Sequence, residues 1–172
     1  MSLDLKSFIR DVPDFPRKGI VFKDITPLLL DPAAFRHTID LMSAPHLGQG
    51  IAKVAGIESR GFIFAAGLAQ RLEAGFVPIR KKGKLPYKTI SQTYELEYGT
   101  DTIEVHEDAI RPDEKVLLVD DVLATGGTLA AGAALLEQLQ ADIIEIVTVI
   151  ELEFLNGRER LQGRPYRTLI KF

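Results

Sequence analysis

The strongest constraint on the fold lies at residues 116–128, in the run VLLVDDVLATGGT. Val116, Leu117, Leu118 and Val119 form an unbroken apolar stretch, preceded by the turn-forming RPDEK. A short strand that is apolar at every position is buried on both faces, which is typical of a parallel sheet covered by helices on each side. Two carboxylates follow, Asp120 and Asp121, then ATGGT, then an Ala- and Leu-rich helix over residues 128–139. Strand, acids, glycine loop and helix in that order predict a ligand site at the carboxyl edge of an open α/β sheet.

The remaining chain supplies partners for that strand. Residues 51–57 (IAKVAGI), 76–79 (FVPI) and 143–150 read as strands, and FIFAAGLAQRL after ESRG reads as a helix. Strands alternating with helices give an α/β fold with a mostly parallel central sheet flanked by helices. Asp31 is a candidate N-cap for a helix opened by Pro32, with Phe35, Ile39 and Met42 at helical spacing. Residues 5–12 read as a short amphipathic helix stopped by Pro13, and DVPDFPRKGIVFKDITPLL reads as an irregular cap with one apolar piece, residues 20–22. Residues 80–109 show no helical period. There Tyr94, Leu96 and Tyr98, then Ile103 and Val105, alternate around Gly99, which predicts an antiparallel hairpin or flap off the main sheet. With 172 residues and no linker or repeat, the chain is expected to be a single domain, 1–172. Within it, 1–32 form an N-terminal arm and 80–109 a flexible flap.

Composition narrows the chemistry. A net charge of −3 argues against nucleic acid as the partner, because a phosphate backbone rewards a basic face. The absence of cysteine excludes disulfides, thiol nucleophiles and cysteine-held zinc. His37, His46 and His106 have no metal-ligand spacing. No apolar run has the ~18 residues of a membrane span, and the N-terminus lacks the apolar segment of a secretory signal. A cytoplasmic enzyme is the expectation, with no membrane partner.

At residues 116–128, Gly126 and Gly127 let the main chain approach an anion where a helix begins. The first helical N–H groups lack internal partners, and the helix dipole favours negative charge there. Asp120 and Asp121 repel phosphate but accept hydrogen bonds from hydroxyls, or neighbour a divalent cation. A phosphorylated sugar diol satisfies both halves, with Ala124, Thr125, Gly126, Gly127 and Thr128 on its phosphate. The alternative is a plain capped turn, with Asp121 or Thr125 closing the helix. The phosphate-loop pattern G-x-x-x-x-G-K-[ST] and the dinucleotide pattern G-x-G-x-x-G are both absent.

VLLVDDVLATGGT resembles the phosphoribosyl pyrophosphate signature of the type I phosphoribosyltransferases. FPRKGIVFKDITPLL, ESRGF, RKKGKLP and YELEYG extend the likeness, in order, to the adenine phosphoribosyltransferase branch of that family. The resemblance implies the type I fold with an N-terminal hood and a β flap. It implies a pentosyltransferase, a glycosyltransferase of purine salvage: adenine and phosphoribosyl pyrophosphate give AMP and pyrophosphate. It further implies a homodimer in which part of the basic loop reaches a neighbouring subunit, and a cis peptide near Glu58–Ser59. Magnesium is then carried mainly by the substrate, near Asp120, with no direct protein ligand. Pyrophosphate falls to Glu58, Ser59 and Arg60 and to the basic cluster of Arg80, Lys81 and Lys84, with Lys82 and Lys88 beside it. Phe22 stacks on adenine, main-chain groups of Val21 and Lys23 read its edge, and Val122 and Leu123 face the other side. Glu97, with Tyr98 beside it on the flap, is the acid/base group near purine N7, and Arg60 is the second catalytic candidate. Glu95 lies on the same face of an alternating strand, so spacing does not separate it from Glu97. A transferase for 6-oxopurines and a nucleotide-sensing regulator on the same fold are the rival readings.

Overall fold

The computed structural model describes residues 3–96 and 99–172. In chain order the strands are β1 (Arg10–Pro13), β2 (Val21–Asp24), β3 (Lys53–Ile57), β4 (Gly75–Lys81), β5 (Thr89–Glu95), β6 (Thr100–His106), β7 (Lys115–Leu123), β8 (Asp142–Glu151) and β9 (Tyr166–Lys171). The helices are α1 (Thr26–Leu30), α2 (Pro32–Ser43), α3 (Gly61–Arg71) and α4 (Gly127–Gln138). Seven strands form one sheet in the order β5-β6-β4-β3-β7-β8-β9, while β1 and β2 pair separately. The β4-β3-β7-β8-β9 block is parallel throughout.

The apolar run of β7 is buried on both faces, as its composition requires. Leu117 and Val119 pack with Met42, Phe64 and Leu68 under α2 and α3. Val116 and Leu118 pack with Leu129, Leu135 and Leu136 of α4. Period-two alternation thus sends consecutive residues into opposite layers. Asp31 caps α2, its Oδ1 accepting from Ala33 N at 2.9 Å and Ala34 N at 2.8 Å.

Three expectations change, and one strand is not anticipated by the sequence. Residues 5–12 are not one helix: Leu5–Phe8 make a single 3-10 turn and Arg10–Pro13 become a strand. Pairing with β2 outweighs local helical spacing there, supported by Arg10–Asp24 at 2.5 Å and Lys23–Asp11 at 2.6 Å. The strand after RPDEK does not end at Val119; it continues through both acids to Leu123, held by the ladder to β8. The hairpin around Gly99 forms, but as an edge extension of the main sheet, because Arg80 and Lys81 pair with Glu104 and Ile103 of β6. Finally, β9 closes the opposite edge, from a segment with no strong alternation of its own.

Candidate active site

The parallel strands end on one edge, and the loops leaving β3 and β7 meet there. They enclose a cavity of about 400 Å³ lined by Glu58, Ser59 and Arg60 from the first loop and by residues 120–129, from the end of β7 through the second loop to the start of α4. Lys81, at the end of β4, also lines it. All of the proposed ribose and phosphate residues, Asp120, Asp121, Ala124, Thr125, Gly126, Gly127 and Thr128, therefore share one cavity with part of the proposed pyrophosphate set.

The phosphate end is main chain. Gly126 precedes α4 at φ +83°, a left-handed conformation that favours glycine. No side chain caps α4, so the alternative of a plain capped turn does not hold. The first N–H groups of this twelve-residue helix have no side-chain cap, an arrangement that suits an anion.

The acidic pair sits beside this helix start. Asp120 Oδ1 accepts from Asp121 N at 2.8 Å, and Asp121 Oδ2 lies 2.7 Å from Arg60 Nε. Burial pushes the Asp120 carboxyl well above the usual range, and the neighbouring Asp121 charge pushes it the same way. Burial raises Asp121 too, against the pull of Arg60. Two adjacent carboxylates that resist ionisation suit partners that donate hydrogen bonds or positive charge. Arg60 also stands 5.2 Å from the centroid of Phe22, which packs edge-on against Phe15. It thereby connects the acidic pair to the hood.

Glu58 organises the basic cluster. Its carboxylate accepts from Lys84 Nζ at 2.6 Å and Lys81 N at 3.0 Å, with Arg80 Nε at 3.3 Å. Burial alone would raise its acid; these donors outweigh that and hold it at about 2. Arg80 and Lys84 thus stand behind Glu58, whereas only Lys81 of the three lines the cavity. The Lys81 ammonium pairs with Asp101, Gly83 N donates to Glu104 at 2.9 Å, and Lys88 lies 3.9 Å from Glu107. The Glu58–Ser59 peptide is cis.

The purine end is less gathered. Val122 and Leu123 line the cavity, but Val21, Phe22 and Lys23 do not. Lys23 is turned to Asp11 at 2.6 Å and to the Phe172 ring at 4.0 Å, while Val21 is exposed. Glu97 and Tyr98 lie outside the described residues. Glu95 is exposed at the end of β5. Sequence reasoning missed Tyr94, which lines the cavity and whose hydroxyl accepts from Thr128 Oγ1 at 3.2 Å. A tyrosine in an alternating strand reads as packing, and only the sheet order brings it to the helix start.

The phosphoribosyl transferase domain family matches residues 28–168. Adenine phosphoribosyltransferase of Solidesulfovibrio magneticus is 57% identical over 169 residues, covering 98% of this chain and 99% of its own. The crystal structure of adenine phosphoribosyltransferase from Rhodothermus marinus superposes with a TM-score of 0.93 at 53% identity, covering 98% of this chain and 96% of that one. The Saccharomyces cerevisiae enzyme superposes with a TM-score of 0.89 at 44% identity, covering 96% of each chain. Its structure contains D-2,5-dideoxy-2,5-imino-altritol 1,6-bisphosphate and adenine.

Proposed function

We infer the activity from one premise: this chain belongs to the adenine phosphoribosyltransferase family. It is a pentosyltransferase that moves the 5-phosphoribosyl group of phosphoribosyl pyrophosphate to adenine, giving AMP and pyrophosphate. The observation that carries this reading at the residue level is the shared cavity. An uncapped helix start, a carboxylate pair and Arg60 stand within it, matched to the phosphate, diol and leaving group of one substrate. A bisphosphorylated ring bound with adenine in the yeast relative supports the same division.

The roles follow from the chemistry. Adenine N9 bonds to the anomeric carbon while pyrophosphate departs with its electron pair, so positive charge grows on the sugar and negative charge on the leaving group. Asp120 and Asp121 accept from the ribose hydroxyls. Residues 124–128 hold the 5′-phosphate. Ser59, Arg60 and Lys81 receive pyrophosphate; Arg80 and Lys84, held behind Glu58, serve it indirectly, by their charge. Adenine is held by Phe22, main-chain groups of Val21 and Lys23, and the Val122–Leu123 side. Glu97 accepts the purine N7 proton as N9 bonds, and Tyr98 follows it in the flap sequence.

Among the described residues, no group of three or more His, Cys, Asp or Glu side chains is placed to hold a metal. Asp120 and Asp121 are the carboxylates that could neighbour magnesium carried by substrate oxygens, and the ion would neutralise charge on pyrophosphate. No helix of the described residues is long and apolar enough to cross a membrane. The reading takes 1–172 as one domain, with 1–32 as arm and hood and 80–109 as flap, working as a cytoplasmic homodimer without nucleic-acid or membrane partners.

Turnover with labelled adenine, guanine, hypoxanthine and xanthine, each with phosphoribosyl pyrophosphate and magnesium, tests the assignment. AMP from adenine alone is the expected result. Product from a 6-oxopurine and none from adenine would overturn it.

A further inference from the structure

The loop assigned to the 5′-phosphate is braced from outside by a segment with no other part in the reaction. Gly157–Leu161 form a 3-10 turn that follows β8. A Cβ on Gly126 would collide with the Gly157 carbonyl oxygen. Conversely, a Cβ on Gly157 would collide with the Ala124 carbonyl oxygen and stand 3.0 Å from the Leu123 side chain. Gly157 is not among the residues at positive φ, so its missing side chain, not backbone freedom, is what the position demands. Two main chains touch here with nothing between them.

The next residue anchors the turn. Arg158 Nε and Nη2 donate to the two oxygens of Glu151 at 2.5 and 2.6 Å, and its guanidinium stands 4.8 Å from the Tyr166 ring centroid. Glu151 is buried and is the register partner of Leu123. Leu152 N also donates to Leu123 O at 3.0 Å. The bidentate pair is thus tied to the strand from which the phosphate loop departs, one residue before Ala124. A planar fork held at both oxygens fixes direction as well as distance.

We propose that Gly157 and the Arg158–Glu151 pair are positioning residues for the 5′-phosphate subsite. They press residues 124–127 into the path that makes the loop N–H groups converge. The proposal rests on the reading of that loop as the phosphate cradle. Its consequence is selective. Ligands gripped by the loop should feel the brace, and ligands gripped by Arg60 and the basic cluster should not.

Calorimetry on the full chain with ribose 5-phosphate and, separately, pyrophosphate tests it. Gly157→Ala and Arg158→Met should weaken ribose 5-phosphate by about 10–100-fold, the scale of a misplacement near 1 Å. Both should leave pyrophosphate affinity within about twofold, and Glu151→Gln combined with Arg158→Met should do no more harm than the worse single change, because one pair is removed either way. If Gly157→Ala does not fold, the isosteric Glu151→Gln and Arg158→Met carry the comparison. Unchanged ribose 5-phosphate affinity in folded variants overturns the proposal, as does equal weakening of both ligands, which is what general loosening gives. A Gly127→Pro chain, which removes a main-chain N–H at the first helical position, where proline is tolerated, is the control. If it too leaves ribose 5-phosphate untouched, the cradle reading falls; if it alone weakens binding, only the brace falls.

Discussion

Glu58 accepts from three donors, and its acid is held at about 2 against an ordinary 4.5. A depressed carboxyl contributes stability that is complete above its unfolded value and is lost as pH falls through the folded one. Glu58→Gln should therefore flatten the loss of stability between about pH 4.5 and 2, read as urea midpoints. Asp24, held at about 2 by its bonds to Thr26 and by Arg10, keeps a residual slope in the same window. An unaltered profile would mean that the cations do not rest on Glu58. Asp120 has the opposite sign. Its acid is raised, so ionising it costs stability as pH climbs past its unfolded value, and neutral Asp120→Asn is relieved of that cost. The variant should melt at a higher temperature, while binding phosphoribosyl pyrophosphate more weakly. A lower melting temperature would place Asp120 among the groups that hold the fold. Glu97→Gln should cut turnover by roughly 10²–10⁴-fold with the fold intact; near-normal turnover would move the proton role to Glu95 or to water.

At the scale of elements, the hairpin of β5 and β6 is the least secured part of the sheet. β5 is an edge strand with every second residue exposed, and β6 meets β4 over only two register pairs. Its amides should exchange hydrogen faster than those of β7, which is buried between two strands, and AMP should slow them selectively. Equal protection of β5 and β7 would remove the hairpin as a moving part. The same contrast explains what the sequence could tell. β7, its loop and α4 were legible because one apolar run, two glycines and an Ala-rich helix all point to the same local answer. β1 was not, since Arg10, Asp11, Val12 and Pro13 have no alternation and owe their conformation to β2. The Gly157 turn was equally silent. Its importance comes from contact with Ala124 and Gly126, far away in the chain and close only after folding. Tyr94 and the hood residues share that difficulty, because their roles depend on which strand lies next to them.

For the whole molecule, the two packed layers run through the same strands, β7 contributing to both. Loss of one layer exposes the other, so unfolding in urea should be one transition, with fluorescence and far-ultraviolet dichroism coincident. Separate transitions would argue for two units instead of one domain. The contacts of Arg60 have a further consequence, in the order of events. This side chain is paired with Asp121 and stands 5.2 Å from the centroid of the Phe22 ring, so the residue proposed for the leaving group also stands beside the residue proposed for the base. On those proposed roles, adenine arriving first would have to displace an ion pair that it offers nothing to replace. Phosphoribosyl pyrophosphate would bring, on the same proposed roles, hydroxyls for Asp121 and an anion for Arg60 in one molecule. An order is then expected, sugar before base on the way in and base-bearing product last on the way out, and calorimetry with adenine alone checks it: tight binding without phosphoribosyl pyrophosphate would overturn that order.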